Sequence, residues 1–347
     1  MRKSKFLSNI LGGGIIIFLS ACASYIYTPL HEQPIFARQA LSSSSEQLFD
    51  YPRIAPIITN HSDPDDPDLV YTLHQISLPS VSDNGQDDNL VSARFYQHKG
   101  HAKKPLVIIL PLWGSYTYPT DVITDDLIDA VPSRHVLRVL GKNFMLDWGA
   151  ASRAKTPAQF KQEVSNMSLR FSTHVTDVRR LIDWAETQPS IDAKRIALIG
   201  FSHGALVAAL VAAVEPRLQA TISVMGGTNI HQILTYCSLE RTNTMRESIT
   251  QRFDWGEADY QQVLEDRLKP LDLVNFQHRV NPEKVLIIES YYDDCIPAKS
   301  RDDLWKYMGY PQKISYKYSH KKAFLSMTIL GAFSMRDKIY AFLDKQL

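Results

Sequence analysis

Residues 195–214, RIALIGFSHGALVAALVAAV, limit the choice of fold more than any other stretch of the chain. The run 195–199 is short, apolar and bounded by polar residues, as expected for a strand buried on both faces of a parallel sheet. Gly200-Phe201-Ser202-His203-Gly204 follows and reads G-x-S-x-G. An Ala/Val/Leu run then continues without a breaker until Pro216, long enough for three helical turns and small enough in its side chains to lie close against a sheet. A serine at such a sharp strand-to-helix turn is pushed out at the carboxyl edge of the sheet with its hydroxyl exposed. The flanking glycines are needed because the turn brings backbones together where a Cβ would collide. The helix aims its first N–H groups back at the serine, so the N–H of His203 is a candidate oxyanion donor.

A serine hydroxyl is a poor nucleophile until a base takes its proton, and that base needs an acid to hold its tautomer and stabilise its charge. Both are expected just after later strands. Asp293 follows the apolar run 285–290 in SYYDDCIP, and His320 follows 314–318 in YKYSHKKAF. The order Ser202, Asp293, His320 is the chain order expected of an acyl-transfer triad on a sheet of this kind. Asp294 is an alternative acid, otherwise a solvated neighbour. His135, His174 and His231 follow no late strand and read as core or surface residues, while the side chain of His203 should point away from the hydroxyl.

The chain resembles the α/β-hydrolase superfamily, in particular bacterial esterase-like members related to dienelactone hydrolases and prolyl-oligopeptidase catalytic domains, over roughly residues 69–347. The resemblance rests on GFSHG, on SYYDDCIP, similar to a G-x-x-D-x-x-V-P acid loop, and on Ser319-His320, where such proteins often carry Gly-His. By register with that loop it implies Asp293 as the acid, and it implies the backbone N–H of Trp113 as a second oxyanion donor. The chain departs from the pattern at Pro111-Leu112, where relatives commonly have His-Gly. A backbone donor does not depend on side-chain identity, although Pro111 itself has no N–H to give. Trp113 is alternatively a core or pocket-wall aromatic.

The rest of the body fits an α/β fold: a doubly wound, mostly parallel sheet with a helical cap. Residues 69–78 and 89–98 alternate apolar and polar around a turn-rich segment and predict an antiparallel pair at a sheet edge. The runs 106–110, 135–140, 220–225, 285–290 and 314–318 predict further strands. An amphipathic helix is expected over 171–187 after a long connection from 143 to 168, and a closing helix over 324–343. Residues 228–282 lack a strand candidate and have helical spacing, which predicts a cap insertion lying over the carboxyl edge.

Residues 1–22 have a basic start at Arg2, Lys3 and Lys5, an apolar centre over 10–19, and then Leu19-Ser20-Ala21-Cys22. This resembles the lipobox of bacterial lipoprotein signal peptides. The resemblance implies removal of residues 1–21 and a lipidated, palmitate-bearing Cys22 as the mature N-terminus. Ala23 then carries no retention signal, which implies the outer membrane, facing the periplasm. The apolar centre is too short to span a bilayer. An uncleaved membrane helix is the alternative, because no Asp, Glu, Lys or Arg occurs between Lys5 and His31. Residues 22–68, rich in Ser, Pro, Gln and Asp, predict a tether with a short ordered piece near 49–58.

Composition excludes several classes. Losing the three N-terminal cations takes the formal net charge from +1 to −2, and the remaining basic residues form no stripe for nucleic acid. No His, Cys, Asp and Glu spacing suits a metal and no glycine-rich loop suits a phosphate, so no cofactor is expected. Cys237 and Cys295 could pair in an oxidising periplasm, but nothing in the sequence brings them together, and buried free thiols are expected. The expected function is a membrane-tethered serine hydrolase acting on a small acyl ester. A serine peptidase of prolyl-oligopeptidase type and a non-catalytic binding lipoprotein on the same fold are the rivals.

Overall fold

A computed structural model describes residues 25–31, 36–40, 42, 47–53, 59–62, 69–80, 90–112, 118–130, 133–141, 148–329 and 335–347. Ten strands lie among them: β1 (Tyr25–Thr28), β2 (Thr59–Ser62), β3 (Tyr71–Pro79), β4 (Leu90–His98), β5 (Lys104–Ile109), β6 (His135–Leu140), β7 (Ile191–Phe201), β8 (Leu218–Val224), β9 (Val285–Ser290) and β10 (Gln312–Tyr316). The helices are α1 (Tyr118–Ala130), α2 (Trp148–Arg153), α3 (Pro157–Thr187), α4 (His203–Val214), α5 (Ile230–Tyr236), α6 (Glu240–Phe253), α7 (Glu257–Leu268), α8 (Ala298–Tyr307), α9 (His320–Ile329) and α10 (Met335–Gln346).

The strands form one sheet in the order β1-β10-β9-β8-β7-β5-β6-β4-β3-β2. The six strands from β10 to β6 are mutually parallel, and the remaining pairings are antiparallel. Central strands are apolar on both faces because helices cover both. In β5, Leu106 and Ile108 join the core that contains α3, α4 and the cap, while Val107 and Ile109 join the core under α1 and α10. Period-two alternation thus divides one apolar run between two cores. All twelve residues of α4 are buried, as a helix apolar on every side must be.

The helix expected over 171–187 starts fourteen residues earlier. Thr156 caps it, its side chain accepting from the Gln159 N–H at 3.2 Å, and Pro157 occupies the first turn. Phe160, Val164, Met167, Phe171, Val175, Val178 and Ile182 make one buried stripe at helical spacing. That Thr-Pro start is a readable signal. Of the closing helix expected over 324–343, the described residues hold α9 and α10, and residues 330–334 lie outside them.

Residues 228–282 form the helical cap of α5, α6 and α7 followed by short 3₁₀ turns. The cap docks on the N-terminal half of α3, where Tyr260 stacks on Phe160 at 5.6 Å between centroids. Arg252 reaches the carbonyls of Ser152 and Ala154, and Arg267 that of Lys161.

The expected tether over 22–68 is corrected by its described parts. Tyr25–Thr28 is an edge strand paired to β10. Arg38 donates to the carbonyls of Ala213 and Arg279. Within the short ordered piece expected near 49–58, of which 54–58 lie outside the described residues, Phe49 is only 1% exposed and packs on Phe276, and the Tyr51 hydroxyl donates to Asp183 at 2.8 Å. Polar, Pro-containing composition here marks irregular backbone bound across the body, with apolar residues few but well placed. A sheet edge is a row of unpaired backbone groups, which a four-residue strand satisfies whatever its composition. Phe49→Ala should therefore lower unfolding stability by about 3 kcal/mol, measured by urea denaturation; a tether residue would leave the midpoint unchanged.

Candidate active site

The turn between β7 and α4 is shaped by two glycines. A Cβ on Gly200 would lie 2.1 Å from the Gly204 carbonyl oxygen, and one on Gly204 would lie 2.6 Å from that of Pro111. Strand, helix and the loop after β5 are in backbone contact at this point. Ser202 sits between them at φ 50°, ψ −111°, a left-handed conformation that side chains rarely adopt. Its N–H bonds the Val224 carbonyl at 2.8 Å, and its own carbonyl accepts from Ala205 and Leu206.

The side chains of Ser202, His320 and Asp293 form one hydrogen-bonded chain. Ser202 Oγ is 3.1 Å from His320 Nε2, and His320 Nδ1 is 2.8 Å from Asp293 Oδ2. The carboxylate is fully buried. Its other oxygen accepts from the Cys295 N–H at 2.8 Å and the Ile296 N–H at 2.7 Å, which fixes the orientation of the carboxylate. Asp294, the alternative acid, has a different position. It accepts from the backbone N–H of His320 at 3.1 Å, at the start of α9, where a carboxylate also complements the helix dipole.

His203 stands at the first position of α4, with its backbone at the turn and its ring directed away. That ring lies edge-on to Phe171 at 4.8 Å and to His174 at 5.9 Å. Burial holds its pKa well below the usual histidine range, with a smaller contribution from His174. Burial likewise lowers His174 to about 3, with a smaller contribution from Arg170. Trp113 and Cys22 lie outside the described residues. Pro111 and Leu112, just before Trp113, are buried against the turn.

Ser202 opens into a cavity of about 270 Å³. Leu206, Ile233, Leu239 and Ile296 supply apolar wall, and Glu240, Arg241 and Lys321 stand as exposed charges at its rim. The cap contributions escaped the sequence reading, because which residues of a helical insertion face the serine depends on how the insertion docks. Cys295 also lines the cavity and is disulfide-bonded to Cys237, 58 positions away, which corrects the expectation of free thiols. Ser238 adds two hydrogen bonds to the Asp294 carbonyl, so the cap is fastened directly to the acid loop. No pairing signal existed in the sequence because the contact joins an insertion to the strand end after it. Among the described residues no group of three His, Cys, Asp or Glu side chains is placed to hold a metal ion.

Comparison with known proteins adds to this geometry. The sequence profile of X-Pro dipeptidyl-peptidase (S15 family) matches residues 164–326. The fold is similar to that of acetyl xylan esterase from Paenibacillus sp. R4, with TM-score 0.64, 14% identity, and 89% of this chain and 97% of that one covered. Acetyl xylan esterase 1 from Thermoanaerobacterium sp. JW/SL YS485 gives TM-score 0.64 and 16% identity over 91% and 99%. 2,6-Dihydroxy-pseudo-oxynicotine hydrolase gives 0.52 and 15% over 85% and 69%. No match was found among curated protein sequences. The chain has the α/β-hydrolase fold. By reaction class it is a serine hydrolase.

The two buried imidazoles give the fold a pH dependence. In the unfolded chain each takes up a proton near pH 6.5, while in the folded chain each stays neutral to much lower pH. The unfolded state therefore binds more protons in between, and stability falls as pH drops from 6.5 towards about 3, by up to about 1.4 kcal/mol per pH unit per histidine. Urea midpoints taken from pH 7 to pH 4 should fall with this slope, and His174→Leu should make the slope shallower by one proton's share.

Proposed function

We propose that the chain is a carboxylic ester hydrolase acting through an acyl-enzyme at Ser202. The observation that carries this is the hydrogen-bonded chain from Ser202 through His320 to the buried Asp293 at the floor of a small apolar cavity. His320 Nε2 takes the Ser202 proton as Oγ attacks the ester carbonyl carbon, and Asp293 stabilises the imidazolium that results. The N–H groups of His203 and Trp113 hold the oxyanion. His320 then protonates the departing alkoxide, which leaves as the alcohol, and the acyl group stays on Ser202. Water, deprotonated by His320, attacks the acyl carbon, the serine regains its proton, and a carboxylic acid is released. Esters need less leaving-group activation than amides, and the cavity favours a small acyl group.

A peptidase is the second reading, favoured by the S15 profile match and by Glu240 at the cavity rim. An enzyme that releases dipeptides must hold a free ammonium, and a rim carboxylate is the group to do it. The N-terminal sequence motif supports a lipoprotein of the bacterial outer membrane, with Cys22 lipidated. The mass of the mature N-terminus tests that reading, and an intact Met1 would end it.

A fluorophosphonate probe should label the wild type and not Ser202→Ala, with p-nitrophenyl acetate turnover lost in parallel; a folded wild type that neither labels nor turns over removes the proposal. Asp293→Asn should cut kcat about ten-thousand-fold, whereas Asp294→Asn, whose amide oxygen can still accept from His320, should stay within about tenfold. Glu240→Gln separates the two readings: a KM raised only for substrates with a free N-terminal amine favours the peptidase, and unchanged ester kinetics with negligible peptide turnover favours the esterase.

A further inference from the structure

β1 runs antiparallel to β10, with Tyr25 opposite Tyr316 and Thr28 opposite Lys313. Tyr25 therefore stands at the carboxyl edge of the sheet, level with the strand end that leads four residues later to His320. An extended chain gains at most about 3.6 Å per residue. Cys22 lies outside the described residues, and the three residues of chain from it to Tyr25 span at most about 11 Å. On the envelope-anchor reading, a lipid on Cys22 would hold this edge of the sheet to the membrane. An uncleaved helix ending before β1 would do the same.

The surface at that edge has the chemistry of a bilayer interface. Tyr291 is 52% exposed, Tyr292 61% and Leu325 51%; the two tyrosines directly precede Asp293, and Leu325 lies five residues after His320 on α9. The Tyr291 N–H bonds the Tyr316 carbonyl at 2.7 Å and the Tyr292 N–H that of Tyr318 at 3.1 Å. The loops bearing acid and base are thus one continuous backbone surface that presents both rings. Lys317, Lys321 and Lys322 are exposed around it, and Lys321 reaches the cavity rim. Tyrosines place an apolar body and a polar tip at headgroup level, and lysines close to a membrane attract anionic headgroups.

We propose that the mouth of the cavity lies on the membrane surface, and that the enzyme takes its acyl esters from that membrane, with the lysines on anionic phospholipid headgroups. This rests on the ester-hydrolase and envelope-anchor readings above, and it specifies where the substrate is met. Ester hydrolysis at the interface consumes one water and releases an acid and an alcohol, as in solution.

The test uses the mature protein purified from membranes and reconstituted on vesicles of phosphatidylethanolamine and phosphatidylglycerol. A fluorophore attached through Leu325→Cys should be quenched by brominated phospholipid. One attached through His101→Cys, in the turn before β5 at the opposite edge, should not be. Equal quenching at both positions, or none at either, would overturn the proposal. In the same vesicles the triple variant Lys317→Gln, Lys322→Gln, Leu325→Ser should lose at least tenfold in turnover of a bilayer-embedded lipid that carries a short acyl ester while keeping that of soluble p-nitrophenyl acetate. Equal loss on both substrates, or on neither, counts against it. If the wild type turns over no ester at all, the hydrolase reading fails, whereas the quenching contrast still reports which face meets the lipid.

Discussion

The site depends on a backbone contact in which no side chain takes part: β7 and α4 approach so closely at Gly200 and Gly204 that neither position has room for a Cβ. This proximity forces the residue between them into a left-handed turn, at a cost of about 1–3 kcal/mol for a residue with a side chain. Burial of α4 on all sides offsets that cost. The same approach brings the Pro111 carbonyl against Gly204, so the loop after β5 is registered to the serine by contact with the helix.

A second centre of organisation is the loop after β9. Its N–H groups at Cys295 and Ile296 fix the carboxylate of Asp293, and the carboxylate of Asp294 receives the first N–H of α9, which begins at His320. Arg301 of α8 bonds the carbonyls of Tyr291 and Ile296 and closes the loop from below. The disulfide and Ser238 then bind the cap to this loop. Acid, base helix and cavity wall are coupled because all three are held by six consecutive residues, 291–296. Two adjacent aspartates in one loop have separate jobs, which backbone register assigns: one faces the imidazole ring, the other the start of the helix.

Much of this was legible in the order of residues. The strands over 106–110, 135–140, 220–225, 285–290 and 314–318 were found within two residues of their observed ends, since apolar runs bounded by polar residues report burial on two faces. The positions of Ser202, of the adjacent pair Asp293 and Asp294, and of His320 followed from strand ends, because a parallel sheet delivers each of its strand ends to one edge. The start of α3 lay in a Thr-Pro signal that periodicity alone passed over. The strand at Tyr25–Thr28, the seat of Phe49 and the disulfide could not be read, because each is a contact between segments far apart in sequence with no periodicity of its own.

The sequence by itself determined the central strands, the helix after the serine, the mostly parallel class of the sheet, and the residue types that its carboxyl edge must carry. The reason is that dihedral preference, side-chain period and turn chemistry are local and repeat along the chain. Only the tertiary structure decided which aspartate meets the imidazole, which side of the cap faces the serine, and that the N-terminal strand enters at the carboxyl edge of the sheet beside β10. Those outcomes depend on how surfaces dock after the elements have formed, and docking is governed by shape and by long-range closure of the chain, neither of which is written in any one segment.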